Sequence, residues 1–176
     1  MDQKIADAIE TLRRAQIDSR CGLPEELFYL VSSLTPIPNV DLWITDGENR
    51  VLLAWRKDLF YDEGWHIPGG CIRYGETMLE RLHKTALKEI GSDVTVDPIP
   101  IAVRDVIRPP REGLINPYER GHHLAVLYRC FLPENFKIDN KGRKHGEDGY
   151  LRFFHKIPKN MLRIHDVYQD ALQQWL

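Results

Sequence analysis

From Gly69 to Gly91 the chain holds its most constrained segment: a glycine pair, a short polar stretch, then Thr77 to Ile90 with neither proline nor glycine. Leu79, Leu82, Ala86 and Ile90 recur on one side of that stretch at helical spacing, so the helix they predict has an apolar face to cover. Gly91 is a natural stop, because the residue after a helix commonly takes the left-handed conformation that glycine adopts without strain.

The remaining elements say what that helix packs on. Val40 to Ile44 and Val51 to Trp55 are β-rich runs around the turn-forming cluster Asp46-Gly47-Glu48-Asn49. Gly64 to Gly70 reads as a strand end entering the glycine turn, and further β-rich runs cover Ile99 to Ile107, His123 to Leu132 and Tyr150 to His155. The segment at 109–113 and the polar stretch at 133–149 read as loops. A last helix is expected from Pro158 to about Trp175. Ahead of the sheet, residues 3–16 carry Ile5, Ala8, Ile9 and Leu12 at helical spacing, and Pro24-Glu25-Glu26 starts a second helix that ends near Ser33. The expected architecture is α/β (α+β): a mixed sheet with helices on both sides over residues 36–176, preceded by a helical arm at 1–35.

Composition narrows the function. A chain of 176 residues suits one domain, and 43% hydrophobic with 28% charged residues reads as globular. A formal net charge of −2 offers no general attraction to nucleic acid or anionic membrane, so any phosphate binding needs local cations or a metal. No apolar run reaches the roughly 18–20 residues of a membrane span. The first residues, MDQKIADAIETLRR, lack an apolar signal region. Cys21, Cys71 and Cys130 are widely spaced and odd in number, which reads as free thiols. The expected location is cytoplasmic, with neither nucleic-acid nor membrane partners.

Residues 70–91 (GCIRYGETMLERLHKTALKEIG) resemble the Nudix box, G-x5-E-x7-R-E-U-x-E-E-x-G-U, with U a bulky apolar residue. Gly70, Glu76, Glu89 and Gly91 stand at the required spacings, and Trp65-His66-Ile67-Pro68 resembles the strand that enters the box in that family. The resemblance implies a Nudix-type α/β/α sandwich. The physics of the match is independent: a glycine turn offers a close-approaching carbonyl and Glu89 a carboxylate, a sparse oxygen set suited to Mg²⁺. Mn²⁺ is the alternative ion.

The departures are informative. Lys84 and Thr85 replace the box Arg-Glu pair, and Lys88 replaces the first of the late Glu pair. With those carboxylates gone, one ion is expected instead of two or three. Attack at phosphorus commonly uses several metals, whereas attack at an anomeric carbon needs one metal on the leaving diphosphate and a protein base for the water. The chain resembles the GDP-mannose mannosyl hydrolase branch, whose box is similarly reduced, and also over Leu27 to Asp41, Val51 to Arg56 and Gly64-Trp65.

Gly70 and Glu89 are therefore the expected metal site, with Glu76 and Lys84 supporting the loop. By resemblance, Arg56 braces the diphosphate leaving group and Asp41 organises substrate; Tyr118 is a candidate base or sugar contact. Alignment on Arg152 puts Glu147 at a metal-ligand position and Asp148 at the general-base position, while a small loop shift makes His145 the base, which is favoured because an imidazole suits general-base work better than an exposed Asp. The expected activity is hydrolysis of GDP-mannose to GDP and mannose. The alternatives are cleavage at phosphorus in a derivative such as ADP-ribose, or a nucleotide-sugar-binding module without turnover. The resemblance also implies a homodimer.

Overall fold

A computed structural model describes residues 2–58, 60 and 62–173. The helix after the glycine turn is α3, Met78–Glu89. Thr77 caps it: the Thr77 Oγ accepts from the Glu80 amide at 3.2 Å and the Glu80 carboxylate accepts from the Thr77 amide at 2.8 Å. Gly91 follows at a φ of 73°, the left-handed backbone that the helix stop requires. The helices before the sheet are α1, Gln3–Arg14, and α2, Glu25–Leu34.

The strands are β1 (Ile37–Thr45), β2 (Val51–Asp58), β3 (Asp62–His66), β4 (Gly69–Cys71), β5 (Thr95–Ile107), β6 (His122–Phe131) and β7 (Leu151–Phe154). They form a mixed sheet in the order β3-β2-β1-β6-β5, with β4 on β1 and β7 on β2. Only β1 and β6 run parallel among the pairs of the described residues. β5 starts earlier than the apolar run suggests, because register shifts around Pro100 accommodate its prolines in an edge strand.

Alternation along β1 divides the core. Val40, Leu42 and Ile44 face α3 and pack with Leu82 and Ala86, whereas Trp43 joins Leu53, Trp65, Leu127, Tyr168 and Leu172 on the opposite face. This is an α/β sandwich, with α3 on one side and the C-terminal segment on the other. β6 occupies one edge of β1 along its whole length, and β2 meets β1 only at Thr45↔Val51. Beyond that hairpin the two strands splay, and β4 pairs with β1 on the opened edge through Asn39↔Cys71, Val40↔Gly70 and Asp41↔Gly69. The slot so formed lets groups from both faces of the sheet meet.

The last helix differs from its sequence reading. Residues 158–162 are held extended against β3, with the Trp65 amide donating to the Asn160 carbonyl at 3.1 Å and the Leu162 amide to the Trp65 carbonyl at 2.8 Å. Those partners on the free edge of β3 outcompete a helical turn. A 3-10 turn, Arg163–Tyr168, and the short helix α4, Gln169–Leu172, follow; the expected end near Trp175 lies outside the described residues. α2 is fixed to the body: Ser32 is buried and its Oγ accepts from the Arg120 amide at 2.9 Å, while Tyr29 packs on Phe60. α1 buries none of its residues. All three cysteines are free.

The β3 clamp is tight at Gly64, where an added Cβ would lie 2.5 Å from the Asn160 carbonyl oxygen. Gly64→Ala is expected to destabilise the protein by about 1–3 kcal/mol, the cost of overpacking a site whose neighbour is backbone. Urea unfolding of the variant checks this; an unchanged midpoint would show that residues 158–162 are not held against β3.

Candidate active site

The loop between β4 and α3 is tied down by Glu76. Its side chain is only 7% exposed and accepts from the Arg73 amide at 3.0 Å, from the Arg81 guanidinium at 2.8 Å and from Lys84 Nζ at 3.0 Å. Burial pushes this carboxyl up, but the bonds from Arg81, the Arg73 amide and Lys84 outweigh it and hold it down to about 2. Glu76 is thus a permanent anion that pins the loop to the helix. Arg81 is the partner that sequence reasoning missed; its only signal is its place one turn before Thr85 on the buried side of α3.

Glu89, the last residue of α3, lies where the helix meets the slot. Its Oε2 is buried and, among the described residues, accepts no hydrogen bond. Burial raises its carboxyl to about 7 against the opposing pull of Arg56, Lys88 and the Gly69 amide. The nearest ring is His66, its Nε2 3.8 Å from Oε2. Burial, then Arg56 and His165, hold the His66 ring well below its usual range, so it is neutral and gives Glu89 no ion pair. Gly70 stands opposite Val40 in the ladder, with Thr85 buried beneath it: a Cβ at Gly70 would come 2.7 Å from the Thr85 Oγ.

Glu89 lines a cavity of about 200 Å³ with Asn39, Asp41, Arg56, His66 and His165. Asp41 faces the C-terminal segment, and its Oδ2 accepts from the Tyr168 hydroxyl at 2.7 Å while Oδ1 accepts from the Asn39 amide at 2.8 Å. Burial raises Asp41 to about 6, moderated by those two bonds and by Arg56. His165 Nε2 accepts from the Ile67 amide at 3.2 Å, and burial pushes its ring down to about 3, so it too is neutral. Arg120 and Lys88 complete the charged lining.

The sequence-predicted residues divide by location. Arg56, Asp41, Gly70 and Glu89 come together in this cavity. Asp148 borders an adjoining basin that shares Arg56, His66, Lys88 and Glu89 with it, and its Oδ1 accepts from the Lys57 amide at 3.0 Å. Glu147 lines neither hollow: it is exposed and closes a local turn by accepting from the Lys144 amide at 2.9 Å. His145 lies over the Trp55 and Trp65 rings, 4.9 and 5.6 Å between centroids, on the face of the sheet away from α3. Tyr118 is 59% exposed and outside the lining, whereas Arg120, two residues on, is part of it. His66, His165 and Tyr168 were not assigned from sequence; the latter two sit in the turn that reads as an ordinary helix.

Among the described residues no group of three or more His, Cys, Asp or Glu side chains gathers to hold a metal. One carboxylate with an unpartnered buried oxygen, in a cavity that the glycine turn also lines, fits a single Mg²⁺ that would complete its sphere with water and substrate oxygens.

The chain matches the family described as NUDIX domain over residues 35–168. It is similar to the low-salt glycan biosynthesis protein Agl8 of Haloferax volcanii, with 32% identity over 75 residues, covering 43% of this chain and 47% of that protein. The match thus spans about half the length of that curated relative. Solved structures give the same fold. A NUDIX-family hydrolase from Clostridium perfringens aligns with a TM-score of 0.55 and 19% identity, covering 81% of this chain and 99% of that one. A Jonesia denitrificans protein, described as a possible asymmetric diadenosine tetraphosphate hydrolase, aligns at 0.58 and 17%, covering 81% and 95%. At those identities the likeness concerns fold alone.

Glu76→Gln should cost about 2 kcal/mol near neutral pH, because it weakens charge-assisted bonds and leaves Arg81 buried without its anion. Since the folded carboxyl is held down to about 2 from 4.5, its contribution is complete above 4.5 and is lost as pH falls towards 2. Denaturant titrations of both proteins across that window check this. A stability difference that stays constant on acidification would overturn it.

Proposed function

The chain belongs to the NUDIX domain family of hydrolases, and from that membership we propose that it hydrolyses a nucleotide sugar, GDP-mannose foremost, at the anomeric carbon. The observation that carries this reading is that Glu89 is the one carboxylate α3 contributes to the cavity lining, Glu80 being spent on the helix cap. Glu89 offers one unpartnered oxygen, while Thr85 is packed beneath Gly70 and Lys88 lines the cavity as a cation. A site of this kind neutralises a departing diphosphate better than it assembles several metals around an attacked phosphorus.

Arg56 and Lys88 face the position where the diphosphate would lie, and stabilise the charge that grows on it as the sugar departs. Glu89 and the Gly70 carbonyl would hold a Mg²⁺ ion, which would add to that neutralisation. The cavity walls beyond are hydrogen-bonding groups, Asn39, Asp41 and His165, which suit the hydroxyls of a hexose. Asp148 is the base in this reading, because it borders the basin that contains Arg56 and Glu89, and it takes the proton of the water that attacks C1. Direct displacement breaks the C1–oxygen bond, releases GDP and inverts the anomeric centre. The likeness to Agl8, a glycan biosynthesis protein, supports a sugar-nucleotide substrate class.

The homodimer and the cytoplasmic location belong to the same proposal. No helix among the described residues is long and apolar enough to cross a membrane. The exposed Ile5, Ile9 and Leu12 of α1 favour a partner surface for that helix.

The test is turnover of a panel of GDP-, UDP- and ADP-sugars with Mg²⁺ or Mn²⁺ in water labelled with heavy oxygen. Label in the released hexose alone is the expected result, and label in a phosphate would move the reaction to phosphorus. Glu89→Gln should lower kcat about 100-fold or more, in the range seen when a group stabilising transition-state charge is removed. Near-normal turnover of that variant would remove Glu89 from the metal site.

A further inference from the structure

A second hollow, of about 500 Å³, opens against the same glycine turn. It shares Gly69, Gly70, Lys88 and Glu89 with the Asp41 cavity, so the two meet where the anion is expected. Its far wall is made by the segment ahead of the sheet, through Leu23, Phe28 and Val31, and its lip by Tyr74 of the β4–α3 loop. That wall is fixed in place by the bond from the Arg120 amide to the Ser32 hydroxyl and by the packing of Tyr29 on Phe60.

The two hollows differ in chemistry. Hydrogen-bonding side chains such as Asn39, Asp41, His123 and His165 share the Asp41 cavity with apolar ones, while the far wall of the second hollow is aliphatic and aromatic, with Arg73, Arg81 and Lys88 towards the glycine turn. A nucleotide sugar has three matching parts: a hydroxyl-rich ring, a diphosphate, and a flat heteroaromatic base that gains by contact with apolar and aromatic surfaces. We propose that the hollow behind Phe28 takes the nucleobase, so that Phe28 and Tyr74 set the affinity for the nucleoside half. The residues before Pro36 are then part of the binding site and not an accessory arm. This inference rests on the nucleotide-sugar reading and assigns the two ends of that substrate: hexose to Asp41, base to Phe28, diphosphate between them at Arg56, Lys88 and Glu89.

The test measures binding without turnover. Calorimetric titrations with GDP and with inorganic pyrophosphate, both with Mg²⁺, are compared for the full chain, Phe28→Ala and Tyr74→Ala. Each substitution should weaken GDP binding on the order of tenfold, the scale of one lost base–aromatic contact, and change pyrophosphate binding by less than about twofold. Tyr74 is 76% exposed, so its variant keeps the fold and decides the matter if Phe28→Ala does not fold. Unchanged GDP affinity in the folded variants, or equal losses for pyrophosphate, would overturn the assignment. So would a wild-type chain that binds pyrophosphate but not GDP. The expected pattern combined with absent sugar-nucleotide turnover would overturn the proposed hydrolysis alone.

Discussion

The site depends on how closely β4 can approach β1. At Gly69 an added Cβ would run into the Asp41 carboxylate and lie 3.0 Å from the Val40 carbonyl oxygen, so the pairing Asp41↔Gly69 exists only because that position has no side chain. With the pairing in place, the glycine turn sits in the slot left by the splayed β1 and β2. Asp41 from one face of the sheet and Glu89 from the helix on the other then line one cavity. The Gly69 amide also reaches Glu89, so the same close approach joins turn, strand and helix. Gly70 beside it is constrained from below by Thr85.

What the sequence made legible follows from where the determinants lie. The stretch from Gly69 to Gly91 was readable because a helix with its cap, stop and apolar face is specified locally, and Glu76 with Lys84 fell out of the same spacing. The β runs were readable by their apolar patterns, though the start of β5 was obscured by its prolines. The C-terminal segment was not. Its extended entry is dictated by the backbone of β3, almost a hundred residues earlier, and no local propensity announces that Asn160 and Leu162 bond to Trp65. His165 and Tyr168 therefore reached the cavity unseen, since their approach depends on a 3-10 turn replacing a regular helix.

The late loop shows the complementary limit. Residue type singled out His145, because an imidazole titrates near neutrality. In the fold it is drawn instead to the aromatic faces of Trp55 and Trp65, while Asp148, three residues on, is positioned by the Lys57 amide on the other side of the strand. Trp55 and Arg56 are consecutive on β2 and point to opposite faces, and the His145 ring lies against Trp55.

Charge balance supports the proposed one-ion chemistry of the altered box. His66 and His165 are neutral, so the groups that carry or can take charge near the turn are the carboxyls of Asp41 and Glu89 and the cations Arg56, Lys88 and Arg120. Burial holds both carboxyls above their ordinary range, to about 6 and about 7, because desolvation of each outweighs what its hydrogen bonds and the nearby cations return. On the proposed reading a diphosphate would add negative charge to this set, and a single divalent ion at Glu89 would offset it while favouring the ionised carboxylate. Further ions would need further anionic ligands, yet the two positions of α3 that could have supplied them carry Thr85, buried under Gly70, and Lys88, itself a cation. On that reading Lys88 would supply, without a ligand sphere, part of the charge that a second metal would bring.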